Sequence, residues 1–217
     1  MSKKKQVLIG LSLFITIIFI GLSIYSQSTP KQLYPKEILE YKGQDLSSIN
    51  DFRENSIRGP QQINESTYKL VITGLVNQTI ELSYNEIINN FQKYQKVTTL
   101  NCVEGWSVNI LWEGFLLEEI LEKAGIAPES EVVIFYAYDG YSTSLPIDYI
   151  KNQEIMLAYK MNDVILPPER GFPFQLVAES KYGYKWIKWI TEIELSNNTS
   201  YKGYWETRGF SNDASIK

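Results

Sequence analysis

An uncharged apolar stretch near the start of the chain is its most regular pattern. Gln6 to Tyr25 contains no charged side chain and is rich in Ile, Leu and Phe. As a helix it is long enough to cross a hydrocarbon core of roughly 30 Å. Lys3, Lys4 and Lys5 precede it, and positive flanks stay on the cytoplasmic side. The pattern predicts a single-pass anchor over residues 1–25, with the rest of the chain extracytoplasmic, in the periplasm or at the cell surface.

The alternative to an anchor is a cleaved signal peptide. The apolar run is longer than a usual signal core, and no Ala-x-Ala-like site lies near Ser26. We therefore favour an uncleaved anchor. Residues 26–48 are polar and contain Pro30, Pro35 and Gly43, a composition typical of a linker with at most a short helical turn.

Strands and short helices alternate along residues 49–217. A strand from Tyr68 to Gly74 and a shorter one over 78–82 predict a hairpin, and Ser83 with Glu86 forms a capping box that starts a helix running to about residue 92. Further strands are predicted over 96–101, 131–138, 156–160, 175–178 and 189–195, and helices over 115–125 and 145–150. Because the spacing is not a regular β-α-β repeat, we expect one α+β domain with a mixed sheet.

Composition excludes several kinds of chemistry. The chain has no histidine and one cysteine, so Ser-His-Asp and Cys-His catalysis, His-ligated haem and nearly every zinc site are excluded. No internal disulfide or thiolate-only iron–sulfur cluster can form. Acidic residues number 25 against 21 basic ones, three of which precede the apolar run. An acidic body argues against a nucleic-acid partner.

The lone cysteine, Cys102, lies where a predicted strand meets a glycine-containing loop, in Thr-Leu-Asn-Cys-Val-Glu-Gly-Trp-Ser over residues 99–107. Taken alone, a single cysteine is most often a small buried apolar residue. Loops at strand ends, however, are where functional sites are commonly built. The interpretation of Cys102 therefore depends on its neighbours.

Four blocks, in order over most of residues 50–212, carry a family resemblance. They are Cys-Val-Glu-Gly-Trp-Ser at 102–107 followed by Trp112 and Phe115-Leu116, Leu-Pro-Pro-Glu-Arg-Gly-Phe-Pro at 166–173, Lys-Tyr-Gly-Tyr-Lys-Trp-Ile-Lys-Trp at 181–189, and Gly-Tyr-Trp-Glu-Thr-Arg-Gly-Phe-Ser-Asn at 203–212. Together they resemble the molybdopterin-binding domain of the sulfite oxidase superfamily, especially its small single-domain bacterial branch, which includes methionine-sulfoxide reductase catalytic subunits. The resemblance implies that fold and a molybdenum–molybdopterin cofactor (Mo-MPT).

By this resemblance Cys102 supplies the one protein thiolate to molybdenum. Glu104 lies two residues after Cys102 and is a candidate to relay a proton or to orient a metal-bound water, as are Tyr141 and Tyr184. The residues implied to contact the cofactor are Asn50, Arg53, Glu54, Asn55, Ala137, Arg170, Gln175, Gly183, Tyr184, Lys185, Trp186, Ile187 and Lys188. The alternatives are structural roles: a hydrogen-bonding Glu104, a surface Arg170, a solvated linker end at 50–55 and a solvated basic strand at 185–188.

The pterin phosphate requires cationic or N–H donors. The resemblance assigns this role to Lys185 and Lys188, and Gly183 would let the backbone approach the ligand closely. Gln175 departs from the family, whose members usually have arginine there. Glutamine can hydrogen-bond to a phosphate, but it cannot neutralise the negative charge.

The function implied is oxygen-atom transfer on a small sulfite- or sulfoxide-like oxo-compound, with electrons exchanged with a cytochrome or a quinone-linked membrane partner. The alternative is a membrane-tethered binding module that kept the fold without the cofactor. Gln175 and the lack of a twin-Arg export motif support that alternative, whereas Cys102, Lys185 and Lys188 oppose it. A hydrolase with a cysteine nucleophile is disfavoured because no histidine can serve as its base.

Overall fold

A computed structural model describes residues 34–216. The predicted anchor, residues 1–25, and the first part of the predicted linker lie outside the described residues. Within residues 34–216, no helix is both long and apolar enough to cross a membrane.

Twelve strands and three α-helices form the described chain. The strands are β1 (Glu40–Tyr41), β2 (Gln44–Asp45), β3 (Lys69–Gly74), β4 (Ile80–Ser83), β5 (Tyr94–Asn101), β6 (Ser107–Leu116), β7 (Val132–Ala137), β8 (Ser142–Pro146), β9 (Met156–Met161), β10 (Val164–Ile165), β11 (Gln175–Val177) and β12 (Ile190–Ser196). The helices are α1 (Tyr84–Asn90), α2 (Leu117–Ala124) and α3 (Ile147–Asn152). Short 3-10 helices lie at Ile49–Asp51, Pro168–Arg170, Gly183–Lys185 and Glu206–Arg208.

Two five-stranded sheets share the core. The first has the order β4-β3-β12-β7-β8, and it is mixed because β12 runs parallel to β3 and antiparallel to β7. The second has the order β10-β9-β6-β5, with β11 also paired to β9, and its pairs are antiparallel. The predicted α+β class with a mixed sheet is confirmed.

The pattern of apolar and polar residues in each strand shows which of its faces packs against the core. In β3, Leu70 and Ile72 are fully buried whereas Lys69 is exposed, as expected for a strand with one covered face. In β7 and β9 nearly every residue is buried, so both faces of these strands are covered. Large side chains such as Trp112 and Phe135 fill the interior.

The local predictions around α1 are confirmed. β3 and β4 form the antiparallel hairpin, and Ser83 and Glu86 complete the reciprocal capping box at the start of the helix. Predicted and observed elements also agree for β5, β7, β9, β11, β12 and α3 within a few residues at their ends.

The strand β6 was not predicted, and the helix expected over 115–125 begins only at Leu117. Phe115 and Leu116 continue β6 and pair with β9, although their apolar side chains also fit helical spacing. Gly114 allows this close approach, because a Cβ atom there would lie 2.3 Å from the Leu157 carbonyl oxygen. Pairing with a distant strand therefore decided between strand and helix.

The linker prediction needs revision for residues 34–48. This segment contains the β1–β2 hairpin and hydrogen bonds to the domain. The Ile38 N–H donates to the Asn162 carbonyl at 3.1 Å, and the Ser47 N–H donates to the Asn109 carbonyl at 2.8 Å. The polar composition reflects backbone and side-chain bonds to the domain surface, so residues 34–48 are part of the folded unit.

The carboxylate of Glu113, on β6, gives the fold a measurable pH dependence. Burial raises its pKa, but hydrogen bonds from Tyr159 and Gln95 and the nearby Lys160 ammonium outweigh that effect, so its pKa lies below the ordinary 4.5. A depressed carboxyl pKa stabilises the fold above the unfolded-state pKa, and this stabilisation is lost as the pH falls through the folded-state pKa.

We therefore expect the free energy of unfolding to fall more steeply in the wild type than in Glu113→Gln between about pH 5 and pH 3. Urea titrations at a series of pH values measure this, with the exposed Glu129→Gln as the matched control. Parallel pH curves for wild type and Glu113→Gln would contradict the prediction.

Candidate active site

A cavity of about 380 Å³ opens where the β5–β6 loop meets the segments before β3, before β11 and before β12. Most of the residues singled out in the sequence line it: Arg53, Glu54, Asn55, Cys102, Glu104, Arg170, Gln175, Gly183, Tyr184, Trp186, Ile187 and Lys188. Asn50, Ala137 and Lys185 are not among its lining residues. The tertiary structure thus brings together segments far apart in the chain.

Cys102 lies on the tight loop between β5 and β6. Its N–H donates to the Trp106 carbonyl at 2.9 Å, and the Gly105 N–H donates to the Cys102 carbonyl at 3.1 Å. Gly105 has a φ of +83°, a backbone conformation that favours glycine. This closed turn holds the half-buried thiol at the rim of the cavity.

The surroundings of the Cys102 thiol shift its pKa in opposite directions. Burial raises its pKa, and the carboxylate of Glu104 adds to this effect. A backbone N–H at Glu104, the positive charge of Arg53 and the Asn55 amide, 3.8 Å from Sγ, favour the thiolate. A metal cation that replaces the proton would complete this set of partners.

Glu104 is exposed at the rim, and one of its carboxylate oxygens accepts a hydrogen bond of 3.1 Å from the indole N–H of Trp106. This bond orients Trp106 in the cavity wall. The relay role predicted for Glu104 stays a prediction, and its other oxygen is accessible to solvent or to a ligand.

Arg170 is held by the 3-10 helix that begins with two prolines, and it is only 8% exposed. Its guanidinium lies 5.1 Å from the centroid of the Phe52 ring and donates to the Phe52 carbonyl at 3.4 Å. Its Nε atom is buried without a hydrogen-bond partner. A buried unpaired donor is costly, so this N–H is available to donate to a ligand or to an ordered water molecule.

Lys188 supplies a second positive charge. Its ammonium donates to Glu54 at 2.9 Å and to the Glu169 carbonyl at 3.2 Å, and it lies 4.3 Å from the centroid of the Trp189 indole. Burial lowers its pKa, and the Glu54 carboxylate opposes that effect. The Lys188–Glu54 pair joins the segment before β3 to the segment before β12.

Lys185 has different surroundings from those predicted. It is fully buried, and its ammonium donates to the Ser144 carbonyl, to Glu206 and to Asn212 at 3.0, 2.5 and 3.0 Å. An ammonium group has three donors, and all three are used. The predicted contact of Lys185 with the pterin phosphate therefore has no geometric support.

Three other predicted residues have local roles. At Gly183 a Cβ atom would lie 3.2 Å from a Leu100 methyl group, so the missing side chain makes room for Leu100. Ala137 ends β7, and its N–H donates to the Tyr141 carbonyl. Asn50 lies on the Ile49–Asp51 helix, where its N–H donates to the Ser48 hydroxyl.

Aromatic side chains that were not among the predicted cofactor contacts form walls of the cavity. They are Phe52, Trp106, Tyr141, Trp189, Trp205 and Phe210. Trp106, Trp189, Trp205 and Phe210 belong to the four sequence blocks, so their clustering around those blocks was the available signal. The Tyr141 hydroxyl donates to the Tyr184 carbonyl at 2.6 Å, and burial raises the pKa of Tyr141.

Gly171 packs two lining residues closely. Its φ is +99°, and a Cβ atom there would lie 3.1 Å from Lys188 and 3.2 Å from Gln175. We expect Gly171→Ala to lower the free energy of unfolding by about 1 to 3 kcal/mol, since it adds both crowding and backbone strain. Gly209→Ala is the matched control, because Gly209 has a φ of +97° but no atoms in the way. Equal losses in the two variants, measured by urea denaturation, would show that crowding contributes nothing.

The described residues form an α+β domain with a single thiol at the rim of a cavity lined by two arginines, a lysine and aromatic rings, which is compatible with an anionic group bound through the thiol. The profile of the oxidoreductase molybdopterin binding domain family matches residues 57–205. The chain belongs to this family, as a member of the sulfite oxidase superfamily in the branch that includes the methionine-sulfoxide reductase catalytic subunits. It is a molybdopterin-dependent oxidoreductase, and the cofactor is molybdenum–molybdopterin.

Individual relatives agree with this assignment. The uncharacterized oxidoreductase YuiH of Bacillus subtilis is 33% identical over 70% of this chain and 76% of its own length. The protein-methionine-sulfoxide reductase catalytic subunit MsrP of Campylobacter jejuni is 29% identical over 68% of this chain, which spans 54% of that protein. The crystal structure of the sulfane dehydrogenase SoxCD from Paracoccus pantotrophus superposes with a TM-score of 0.66 at 20% identity, over 81% of this chain and 46% of that one. This structural match shows a shared fold.

The residues of the cavity fit the cofactor. Cys102 offers the soft thiolate that suits such a metal, and the unpaired Nε of Arg170 offers a donor for a polar edge of the pterin. Lys188 and Arg53 bring positive charge to the lining, which suits a phosphate, and the aromatic walls suit a planar ring system.

Proposed function

We propose that this oxidoreductase acts by oxygen-atom transfer on an uncharged small oxo-compound of the sulfoxide type, rather than on sulfite. The charge of the cavity carries the proposal. Its lining contains four carboxylates, from Glu54, Glu104, Asp139 and Glu169, against three basic side chains, from Arg53, Arg170 and Lys188. A bound cofactor with its phosphate and the Cys102 thiolate adds further negative charge. A sulfite anion would be repelled in this field, whereas a neutral substrate would not.

The aromatic walls support the same substrate class. Trp106, Trp205 and Phe210 present apolar surface at the opening of the cavity, where a small, mostly apolar molecule gains contact area. The Campylobacter jejuni relative is named a methionine-sulfoxide reductase catalytic subunit, and its name agrees with this proposal.

In this proposal, different residues of the cavity have different roles. Cys102 would hold the metal, Arg170 and Lys188 would hold the pterin and its phosphate, and the aromatic walls exclude water. When bound, the molybdenum–pterin group supplies the oxygen-atom transfer and the accompanying two-electron change. Glu104 lies at the rim next to Cys102 and is exposed, so it is the group placed to exchange a proton with solvent.

We therefore expect Glu104→Gln to lower kcat by about 100-fold or more, the range of general acid–base catalysis, with little change in molybdenum content. The amide oxygen of glutamine can still accept the Trp106 bond, so the wall is retained. Rates per bound molybdenum measure the effect, with Glu129→Gln as control. An unchanged kcat would assign Glu104 a purely structural role.

We propose that this chain exchanges electrons with a separate redox protein. The given sequence has no histidine and its single cysteine lies at the cavity, so it offers no ligands for a His-ligated haem or for a cysteine-ligated iron–sulfur cluster. We propose a cytochrome or a quinone-linked membrane subunit as the partner. A membrane location is part of the proposal and is supported by the apolar stretch Gln6 to Tyr25 behind three lysines. Recovery of the full chain in the soluble fraction after cell lysis would contradict it.

The substrate proposal is tested by assaying sulfoxide reduction and sulfite oxidation side by side with molybdenum-loaded protein. We expect the larger kcat/KM on the neutral sulfoxide. If repulsion excludes sulfite, its KM should fall as ionic strength rises, whereas the KM of the sulfoxide should not change. A larger kcat/KM on sulfite, without this salt dependence, would overturn the proposal.

A further inference from the structure

The loop over residues 201–212 carries part of the cavity wall. Its two ends meet where the Asn212 side-chain amide donates to the Tyr201 carbonyl at 3.0 Å. Trp205 and Phe210 project from it into the lining of the cavity, with their ring centroids 5.2 Å apart and each side chain 37% exposed. The position of this loop therefore sets the width of the opening.

A buried ion pair lies beneath the loop. The Glu206 side chain is fully buried, and one carboxylate oxygen accepts from Lys185 at 2.5 Å and from the Thr143 hydroxyl at 2.7 Å. The other oxygen is buried without a hydrogen-bond partner. Lys185 also donates to Asn212 and to the Ser144 carbonyl, so one ammonium group joins both halves of the loop to strand β8.

The other end of this connection is the site itself. Lys185 ends the 3-10 helix Gly183–Lys185, and its neighbours Tyr184 and Trp186 line the cavity. The Tyr184 hydroxyl donates to the Ser211 carbonyl of the loop at 2.8 Å. The buried pair thus connects the interior wall of the cavity directly to the loop at its opening.

A buried ion pair stabilises a fold little more than apolar residues of the same volume would, but removal of one partner leaves an uncompensated charge. The directional bonds around Lys185 fix where the loop lies. This is a geometric role, distinct from contact with the cofactor.

We propose that Lys185 is a positioning residue whose ion pair with Glu206 fastens the loop over residues 201–212, so that Trp205 and Phe210 narrow the cavity opening and select the substrate. The proposal goes beyond the oxidoreductase function and does not depend on which oxo-compound is the substrate. It contrasts with a role for Lys185 as a phosphate ligand.

Four variants of the full chain separate the two roles. Lys185→Met and Glu206→Gln each break the pair, and Lys185→Met/Glu206→Leu replaces it with apolar side chains that remove the unpaired charge. Lys202→Met is the control, because Lys202 is an exposed lysine in the same loop. Tryptic cleavage after Arg208, amide hydrogen exchange over residues 201–212 and molybdenum per chain are measured for each.

We expect both single variants to speed cleavage after Arg208 and exchange in the loop on the order of 10-fold or more, because the loop opens more often. The double variant should also open the loop faster than the wild type, because the directional bonds of Lys185 are lost even though no unpaired charge is left. Glu206→Gln and the double variant should retain molybdenum. If Lys185→Met does not fold, Glu206→Gln and the double variant still decide the test.

Loss of molybdenum in the double variant, with a loop as protected as in the wild type, would overturn the proposal and make Lys185 a cofactor ligand. Unchanged loop protection in Glu206→Gln would also overturn it.

In active preparations, Glu206→Gln should raise KM and leave kcat per molybdenum within about twofold, because transition-state contacts are kept. A fall in kcat with constant KM would contradict the selection role. Since loop protection and molybdenum content need no substrate, they test the role of the Lys185–Glu206 pair even if the substrate proposal fails.

Discussion

Cys102→Ser is expected to reduce molybdenum content and oxidoreductase activity to background while the domain still folds. A serine hydroxyl is a harder and much more weakly acidic group than a thiol, so it is a poor substitute for the thiolate. The turn around Cys102 is made by backbone bonds to Trp106 and Gly105, which serine retains. The expected loss is therefore specific to the metal–sulfur bond.

Molybdenum is measured by mass spectrometry on protein produced in a host that makes the pterin, and folding by urea denaturation. Ser107→Ala, an exposed serine at the start of β6, is the matched control and should bind molybdenum like the wild type. Wild-type molybdenum content in Cys102→Ser would refute the assignment of Cys102 as the metal ligand.

Arg170→Met is expected to weaken retention of the cofactor by roughly 10-fold to 100-fold, the range measured for residues that support a metal site. The Nε of Arg170 has no partner in the protein, and its guanidinium is desolvated, which lowers its pKa. Without the cofactor, methionine removes a buried unpaired donor, so the free energy of unfolding of the apoprotein should change by less than about 1 kcal/mol.

Weaker cofactor retention together with unchanged apoprotein stability distinguishes a ligand contact of Arg170 from a structural role. Retention is measured as molybdenum remaining after timed gel filtration, and apoprotein stability by urea titration. Arg58→Met is the control, because Arg58 is an arginine outside the cavity lining. A large loss of apoprotein stability in Arg170→Met would show that its contacts with Phe52 hold the fold together.

Local structure followed closely from local sequence. The capping box at Ser83 and Glu86 needs residues only three positions apart, and the β3–β4 hairpin joins neighbouring segments, so both were predictable. Cys102 was also predictable as a site residue, because its loop and the three later blocks carry the family resemblance in the sequence itself.

Long-range contacts decided what the sequence left open. Lys185 and Lys188 looked equivalent in their block, but Lys185 turns into the core toward Glu206 while Lys188 lines the cavity with Glu54. Likewise, Phe115 joined β6 because its backbone pairs with Leu157. In each case the partner comes from a remote segment, and no local pattern states which one will meet it.

The sequence by itself determined the class of fold, the cysteine that is the candidate metal ligand and most of the segments that build the cavity. Only the tertiary structure decided which cations line the cavity, which one is buried against Glu206, and how the aromatic walls surround the site. The physical reason is that periodicity and capping act within a few residues, whereas burial and the pairing of charges depend on which distant segments pack together.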